Sequence, residues 1–439
     1  MSEKKSNTVN LEWSGKEGLQ SLDSSPVKLV EDIELSLAKE PSTNCLIHGD
    51  SLPVLRSLES KYSNTIKCIY IDPPYNTGSE FEFYDDGISH SEWLTFMRER
   101  LIVLRKLLSD KGMIFVQIDD NEMAYLQLIM DEIFGRKNRV NTICVKMSEA
   151  SGVKMSHVKK RLPKVKEYIL CYRKSESFEF TKTLSIPLQN WNYEYKLFLK
   201  NYTRDMHQQL KDTLKKTPLC KEDCVEMNQL LSQVEIVSVK KILEGSSRFT
   251  QAEKETWRFE NAWRIVQDVG STSVKKYADK EPKAKQHLAT LLSPTGIMYL
   301  YRTTYNREAK QPRVQILFAE DNMSYHPGDF WSDIKTTGGV AKEGGTVFPN
   351  GKKPEKLIQR IIEISTNKGD CVLDCFLGSG TTAAVAHKMQ RKWIGIEKGN
   401  QIYTHCLPRI RAVIEGEQSG ISQDISWIGG GGFHFLKQG

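Results

Sequence analysis

Short apolar runs, most of them followed by a helix-forming stretch with apolar residues on one side, recur in two blocks of this chain and vanish between them. In the first block the runs are Cys45-Leu46-Ile47, Cys68-Ile69-Tyr70-Ile71, Met113-Ile114-Phe115-Val116 and the stretch 167–172. In the second they are Val372-Leu373-Asp374 and Trp393-Ile394-Gly395-Ile396. They are apolar on both faces, as parallel strands buried between helix layers are. Leu52, Leu55 and Leu58 mark a helix after the first run. Trp93, Phe96, Met97, Leu101, Leu104 and Leu108 mark one after the second, and residues 123–134 a third. Residues 356–364 and 381–389 read as helices of the second block. Strand, helix, strand, helix predicts a doubly wound α/β sheet. Two blocks separated in sequence predict one interleaved sheet interrupted by an insertion.

The expected organisation is therefore a polar N-terminal arm over residues 1–43, one half of the sheet over 44–174, an inserted domain over 175–335 and the other half over 336–439. The insertion reads as mainly helical, with polar helical stretches at 196–216 and 224–243. A region of interleaved aromatic and basic residues follows: Trp257, Trp263, Tyr299, Tyr301, Arg302, Tyr305, Arg307 and Arg313. Such a mixture suits phosphate contacts and base stacking, or a small core with a charged face; for any single ring the core is favoured. Residues 146–340 hold 33 Lys+Arg against 23 Asp+Glu, a net of +10, so the remainder carries −3 of the overall +7. A basic middle between near-neutral ends suits a nucleic-acid partner.

Hydrophobic residues at 39% and charged residues at 27% fit a globular enzyme. No apolar stretch reaches membrane-spanning length, and the lysines of residues 1–6 have no apolar run behind them. The expectation is a cytoplasmic protein without a membrane partner. The scattered cysteines read as reduced core residues. The pair Cys220 and Cys224 has no second pair at zinc spacing, so no metal is expected.

Gly378-Ser379-Gly380-Thr381-Thr382-Ala383 has the form G-x-G-x-x-A, follows a strand and opens a helix. The first glycine makes the tight turn and the second lets a ligand lie against the backbone. Glu397 ends the next strand, where an acidic side chain accepts hydrogen bonds from ribose hydroxyls. Asp374 stands at the strand end before the loop, as a ligand residue or as a helix cap. These features do not separate a dinucleotide from S-adenosylmethionine, because both present an adenosine ribose.

Asp72-Pro73-Pro74-Tyr75 ends the run at 68–71. The exocyclic nitrogen of adenine or cytosine is a poor nucleophile because its lone pair is delocalised into the ring. The Asp72 carboxylate and the Pro73 carbonyl offer two acceptors for its N–H groups, and paired prolines hold that carbonyl rigidly. Tyr75 supplies a flat face for a base flipped out of a duplex. A nicotinamide oxidoreductase would account for the glycine loop and leave Asp72 to Tyr75 unexplained.

With these motifs in this order, the chain resembles the amino-type DNA methyltransferases, specifically the circularly permuted β group in which the catalytic motif precedes the cofactor motif. The segments that carry the resemblance are 72–78, 91–108, 112–120, 353–357 and 374–382. Within the group it is most similar to the methylation (Mod) subunits of type III restriction–modification systems and their stand-alone relatives. Gly429-Gly430-Gly431-Gly432-Phe433 after Ile425-Ser426-Trp427 is similar to a Mod ending, although Mod subunits are generally longer. The resemblance implies a Rossmann-like class I methyltransferase sheet with an inserted target-recognition domain. It implies transfer from S-adenosylmethionine to the N6 amino group of adenine in double-stranded DNA. Asp72, Pro73, Pro74 and Tyr75 would be catalytic. Phe376, Gly378, Gly380 and Glu397 would contact the cofactor, with Asp374 and Thr381 in the same loop. Asp50, in a His48-Gly49-Asp50 turn, would lie near the cofactor adenine, and Lys353 would close over its methionine end. The resemblance further implies a homodimer and raises a restriction subunit as a partner. N4-cytosine methylation and an inactive DNA-recognition partner are the alternatives; Asp at position 72 favours adenine.

Overall fold

Successive residues of a strand point to opposite faces, and here the two faces feed two separate cores. In the strand Ile66–Ile71, Cys68 and Tyr70 pack with helices Glu355–Ser365 and Thr381–Lys388 on one side. Ile69 and Ile71 pack with helices Ser51–Tyr62 and His90–Leu107 on the other. The computed structural model describes residues 11–16, 25–37, 42–77, 88–149, 158–160, 162–244, 249–281, 286–334, 336, 339–348 and 351–439. These residues form two units, one from both ends of the chain (1–184 and 327–439), the other from 185–326.

The first unit contains a 10-stranded sheet in the order Leu29–Glu31, His434–Gln438, Cys45–His48, Lys392–Glu397, Cys371–Asp374, Ile66–Ile71, Leu108–Ile118, Lys166–Arg173, Arg139–Lys146, Phe330–Trp331. From His434–Gln438 through Leu108–Ile118 every neighbouring pair is parallel. Lys166–Arg173 runs antiparallel to both of its neighbours. The expected interleaving is present: strands of the second block sit between strands of the first. Because the central strands are parallel, their C-terminal ends share one edge, the place where open α/β sheets bind ligands. That edge carries the segments following His48, Ile71, Ile118, Asp374 and Glu397.

The described residues of the N-terminal segment do not form an arm outside the core. Leu29–Glu31 pairs with His434–Gln438. Leu11 and Trp13 pack against the apolar cluster, and the Trp13 indole donates to the Thr95 hydroxyl at 2.9 Å. Residues 1–10, 17–24 and 38–41 of that segment, and Gly78 of the 72–78 motif, lie outside the described residues.

The second unit runs from Ser185 to His326, inside the boundaries expected at 175 and 335. Besides the expected helices, the insertion contains strands that were not expected. Its organising element is a 6-stranded sheet, in the order Leu288–Leu292, Met298–Arg302, Arg313–Phe318, Ile265–Gly270, Leu197–Lys200, Glu235–Ser238. All neighbouring pairs are antiparallel. Leu197–Lys200 and Glu235–Ser238 fall inside the stretches read as helical; the helices themselves are the shorter Arg204–Lys215, Lys221–Leu230 and Val239–Glu244. Trp263, Tyr301 and Tyr305 are buried, so these rings belong to the core reading. Arg302 and Arg313 pair with Asp268. Among the described residues no helix is long and apolar enough to cross a membrane.

Candidate active site

Two carboxylates, a phenol and an ammonium group meet where the strand Ile66–Ile71 ends. The Tyr75 hydroxyl lies 2.7 Å from Asp72 Oδ1 and 2.8 Å from Glu167 Oε2. The Lys353 ammonium is 2.8 Å from Asp72 Oδ2 and 3.5 Å from Glu167 Oε2, and 5.1 Å from the Tyr75 ring centroid. Burial pushes the Asp72 carboxyl above the ordinary carboxylate range, and the Glu167 charge adds to this against the pull of Lys353. The Pro74 carbonyl accepts from the Trp93 indole at 2.8 Å, which ties the two-proline segment to the core.

The glycine loop lies beyond the neighbouring strand, Cys371–Asp374. Gly378 (φ 55°) and Gly380 (φ 82°) both take the left-handed conformation that favours glycine. A Cβ on Gly380 would sit 3.3 Å from the Cys406 Cα. Asp374 works as a cap for this turn: Oδ1 accepts from the Phe376 amide at 2.9 Å and Oδ2 from the Thr382 hydroxyl at 2.6 Å. Burial pushes its carboxyl up to about 7. Glu397 accepts from the Gly378 amide at 2.7 Å, from the Lys398 and Gly399 amides and from the Gln401 side chain. The acid expected to face a ribose thus also pins the loop. Burial keeps it above the ordinary carboxylate range despite these donors. Gly380→Ala should lose about 1–2 kcal/mol to the left-handed backbone alone, read as a lower urea midpoint, with Gly369→Ala, also at positive φ but with open space around it, as the control without a close neighbour.

Both groups open onto one cavity of about 330 Å³. Asp72, Pro73, Pro74, Tyr75, Lys353, Asp374, Phe376, Gly378, Thr381 and Glu397 all line it. Asp50 and Gly380 are not among its lining residues. Asp50 caps the helix Ser51–Tyr62 through the Leu52 amide and pairs with Arg100 at 2.9 Å and Lys398 at 3.1 Å. Burial raises its carboxyl, but those two cations hold it below the ordinary range. Lys353, expected over the methionine end of the cofactor, pairs with the Asp72 carboxylate at the wall of this cavity.

Sequence reasoning missed Glu167 as a site residue. Lys166–Arg173 runs against the central strands, so its first residues, and not its last, reach the common edge. It also missed the support below the loop. Arg409, fully buried, donates to Thr381 Oγ1 and to Glu355 Oε1, each at 2.7 Å. Lys388, equally buried, donates to Glu355 Oε2 at 2.8 Å and pairs with Glu417. Glu355 directly follows Lys353-Pro354, so these charges fasten the Lys353 segment to the glycine loop.

The family model for "DNA methylase" matches residues 66–407, from the strand before Asp72 to beyond Glu397. The "Probable type III restriction-modification enzyme HindVI Mod subunit" of Haemophilus influenzae is 35% identical over 428 residues, covering 90% of this chain and 54% of that protein. The type III restriction-modification enzyme StyLTI Mod subunit of Salmonella typhimurium is 29% identical over 83% of this chain and 53% of its own length. The chain spans about half the length of these two curated relatives. A solved PvuII DNA methyltransferase (cytosine-N4-specific) aligns at 13% identity and a TM-score of 0.41 over 88% of this chain and 91% of that one, too loosely to bear on the substrate. Given the family match across both the Asp72 segment and the glycine loop, this chain belongs to the DNA methylase family.

Proposed function

We propose that this chain is an S-adenosylmethionine-dependent DNA methyltransferase acting on the N6 amino group of adenine in duplex DNA. The observation that carries this reading is the shared cavity: an amino-group acceptor at Asp72 and Pro73 opens onto the same space as the glycine loop and Glu397. A base swung out of the duplex would place its amino nitrogen at Asp72, and Tyr75 would offer its ring as a stacking face. The cofactor would lie along Phe376, Gly378 and Thr381, its ribose toward Glu397, and supply an electrophilic methyl group. The chain's own residues then bind, orient and exclude water. Alignment of the two reactants provides most of the acceleration, with no covalent enzyme intermediate. N4-cytosine transfer is the second reading, because the same pair of acceptors serves either amino group.

The basic stretch around the second unit supports a target-recognition role for Ser185 to His326. A second copy of the chain and a restriction subunit are the protein partners to test. Sequencing the modified bases in DNA from cells expressing the chain should show N6-methyladenine in one short motif. N4-methylcytosine in its place rejects the adenine assignment.

A further inference from the structure

Glu167 is the second residue of the strand Lys166–Arg173, and its carboxylate is held by buried polar groups. Gln117, fully buried, donates its side-chain amide to Glu167 Oε2 at 2.6 Å, and its own carbonyl accepts from the Tyr70 hydroxyl at 2.6 Å. A glutamate present only to solvate a strand end would not be given this support. The contacts of Tyr75 add a proton count. Its hydroxyl carries one proton but lies at 2.7 and 2.8 Å from two carboxyl oxygens. It can donate to only one of them at a time, and the other oxygen stays within reach when a further proton enters the line. Asp72, Tyr75 and Glu167 thus form a continuous hydrogen-bonded line along which a proton can sit at either end. The Glu167 side chain retains about 20% of its exposure, which opens that end of the line to water.

We propose that Glu167 is the terminal acceptor of a proton relay that starts at Asp72 and passes through the Tyr75 hydroxyl, taking the proton that the amino nitrogen loses on methylation. The inference rests on the base-methylation reading above. As the nitrogen lone pair forms the new N–CH₃ bond, the S–CH₃ bond breaks and its electron pair returns to sulfur. The cofactor becomes a neutral thioether and the nitrogen is left cationic with a surplus proton. Asp72 Oδ1 takes that proton. The Tyr75 oxygen receives it while passing its own hydroxyl proton to Glu167 Oε2. Asp72 is again ionised, Tyr75 is again a neutral phenol, and Glu167 releases the proton to solvent. Lys353, beside both carboxylates, holds the line in place and favours the ionised form of the one it touches.

Glu167→Gln keeps the shape and the hydrogen bonds to Gln117 and Tyr75 but cannot accept a proton. With unmethylated bacterial genomic DNA and isotopically labelled S-adenosylmethionine, the single-turnover rate should fall about 10²-fold, the lower range for a proton-transfer group. S-adenosylmethionine affinity should be retained, which also shows that the variant is folded. The acid limb of the rate profile should move to lower pH, because the Glu167 charge that raises Asp72 is gone. Tyr75→Phe breaks the same line at its middle while keeping the ring. Combining the two substitutions should therefore lower the rate no further than the more damaging one alone. An unchanged rate overturns the relay. So does a loss with an unmoved acid limb, or losses that add in the double variant, since either outcome makes Glu167 a support for Tyr75 and nothing more. A wild-type chain that methylates none of this DNA rejects the base-methylation reading itself, and the relay with it.

Discussion

Asp72→Ala should reduce single-turnover methyl transfer by at least about 10²–10³-fold, the loss typical when one preorganised electrostatic partner of the reacting group is removed. The carboxylate is the one charged acceptor of the Asp72–Tyr75 segment. Under the proposed function, the amino lone pair would stay in the aromatic ring without it. Cofactor affinity should change little, because Asp72 bonds Tyr75 and Lys353, whereas the glycine loop is held by Asp374, Glu397 and Arg409. Lys353 retains Glu167 at 3.5 Å, so the variant should also fold. Equilibrium binding of S-adenosylmethionine measured beside the transfer rate separates the two effects. Transfer within about tenfold of wild type would reject Asp72 as the group that activates the nitrogen, and loss of cofactor binding would make it structural.

Glu355→Gln should have the largest effect on stability. Glu355, Arg409 and Lys388 all have fully buried side chains. The substitution keeps the volume but leaves the Arg409 guanidinium without its carboxylate and Lys388 with Glu417 as its one carboxylate. Breaking a buried ion pair from one side is worth about 3–5 kcal/mol, read from urea unfolding at pH 7. The pH dependence follows from the direction of the shift. Burial raises the Glu355 carboxyl, but Arg409 and Lys388 more than reverse that and hold it below its ordinary value. Its contribution is therefore complete above the unfolded pKa of about 4.3 and is lost as pH falls through the lower folded value. Wild type should lose stability across that acid window more steeply than Glu355→Gln, and the gap between them should narrow. A constant gap would mean that Glu355 is not ionised in the folded chain.

The central sheet was legible because each buried parallel strand is an uninterrupted apolar run, and the glycine loop because left-handed backbone requires glycine at Gly378 and Gly380. The cavity residues named from these two signals follow from their positions at strand ends. Other elements were hidden for physical reasons. Leu29–Glu31 is 3 residues long and mostly exposed, and its partner His434–Gln438 stands at the other end of the chain, so no local pattern specifies it. Leu197–Lys200 is 4 residues in a polar stretch; only Asn201 at φ 61°, Tyr202 and the Thr203 cap separate it from the following helix. Glu167 stood at the start of the run 167–172 with nothing to mark it as a site residue, since strand direction is set by the assembled sheet and not by the residues themselves. The Arg409, Glu355 and Lys388 cluster was concealed by spacing, as three charged residues far apart in sequence give no hint that they share one buried site.

The position of His434–Gln438 between Leu29–Glu31 and Cys45–His48 also sets when this sheet can close. A ribosome releases residues in order, so the strand that separates the two earliest ones emerges after everything else in the sheet. Cys371–Asp374 and Lys392–Glu397, which stand between Cys45–His48 and Ile66–Ile71, are late as well. Until they arrive, the first half of the chain exposes unpaired strand edges and cannot assemble the cavity, whatever the order in which its helices form. Contacts this distant in sequence make assembly slow relative to local structure. A nascent chain of this topology therefore carries those open edges until synthesis has passed His434–Gln438.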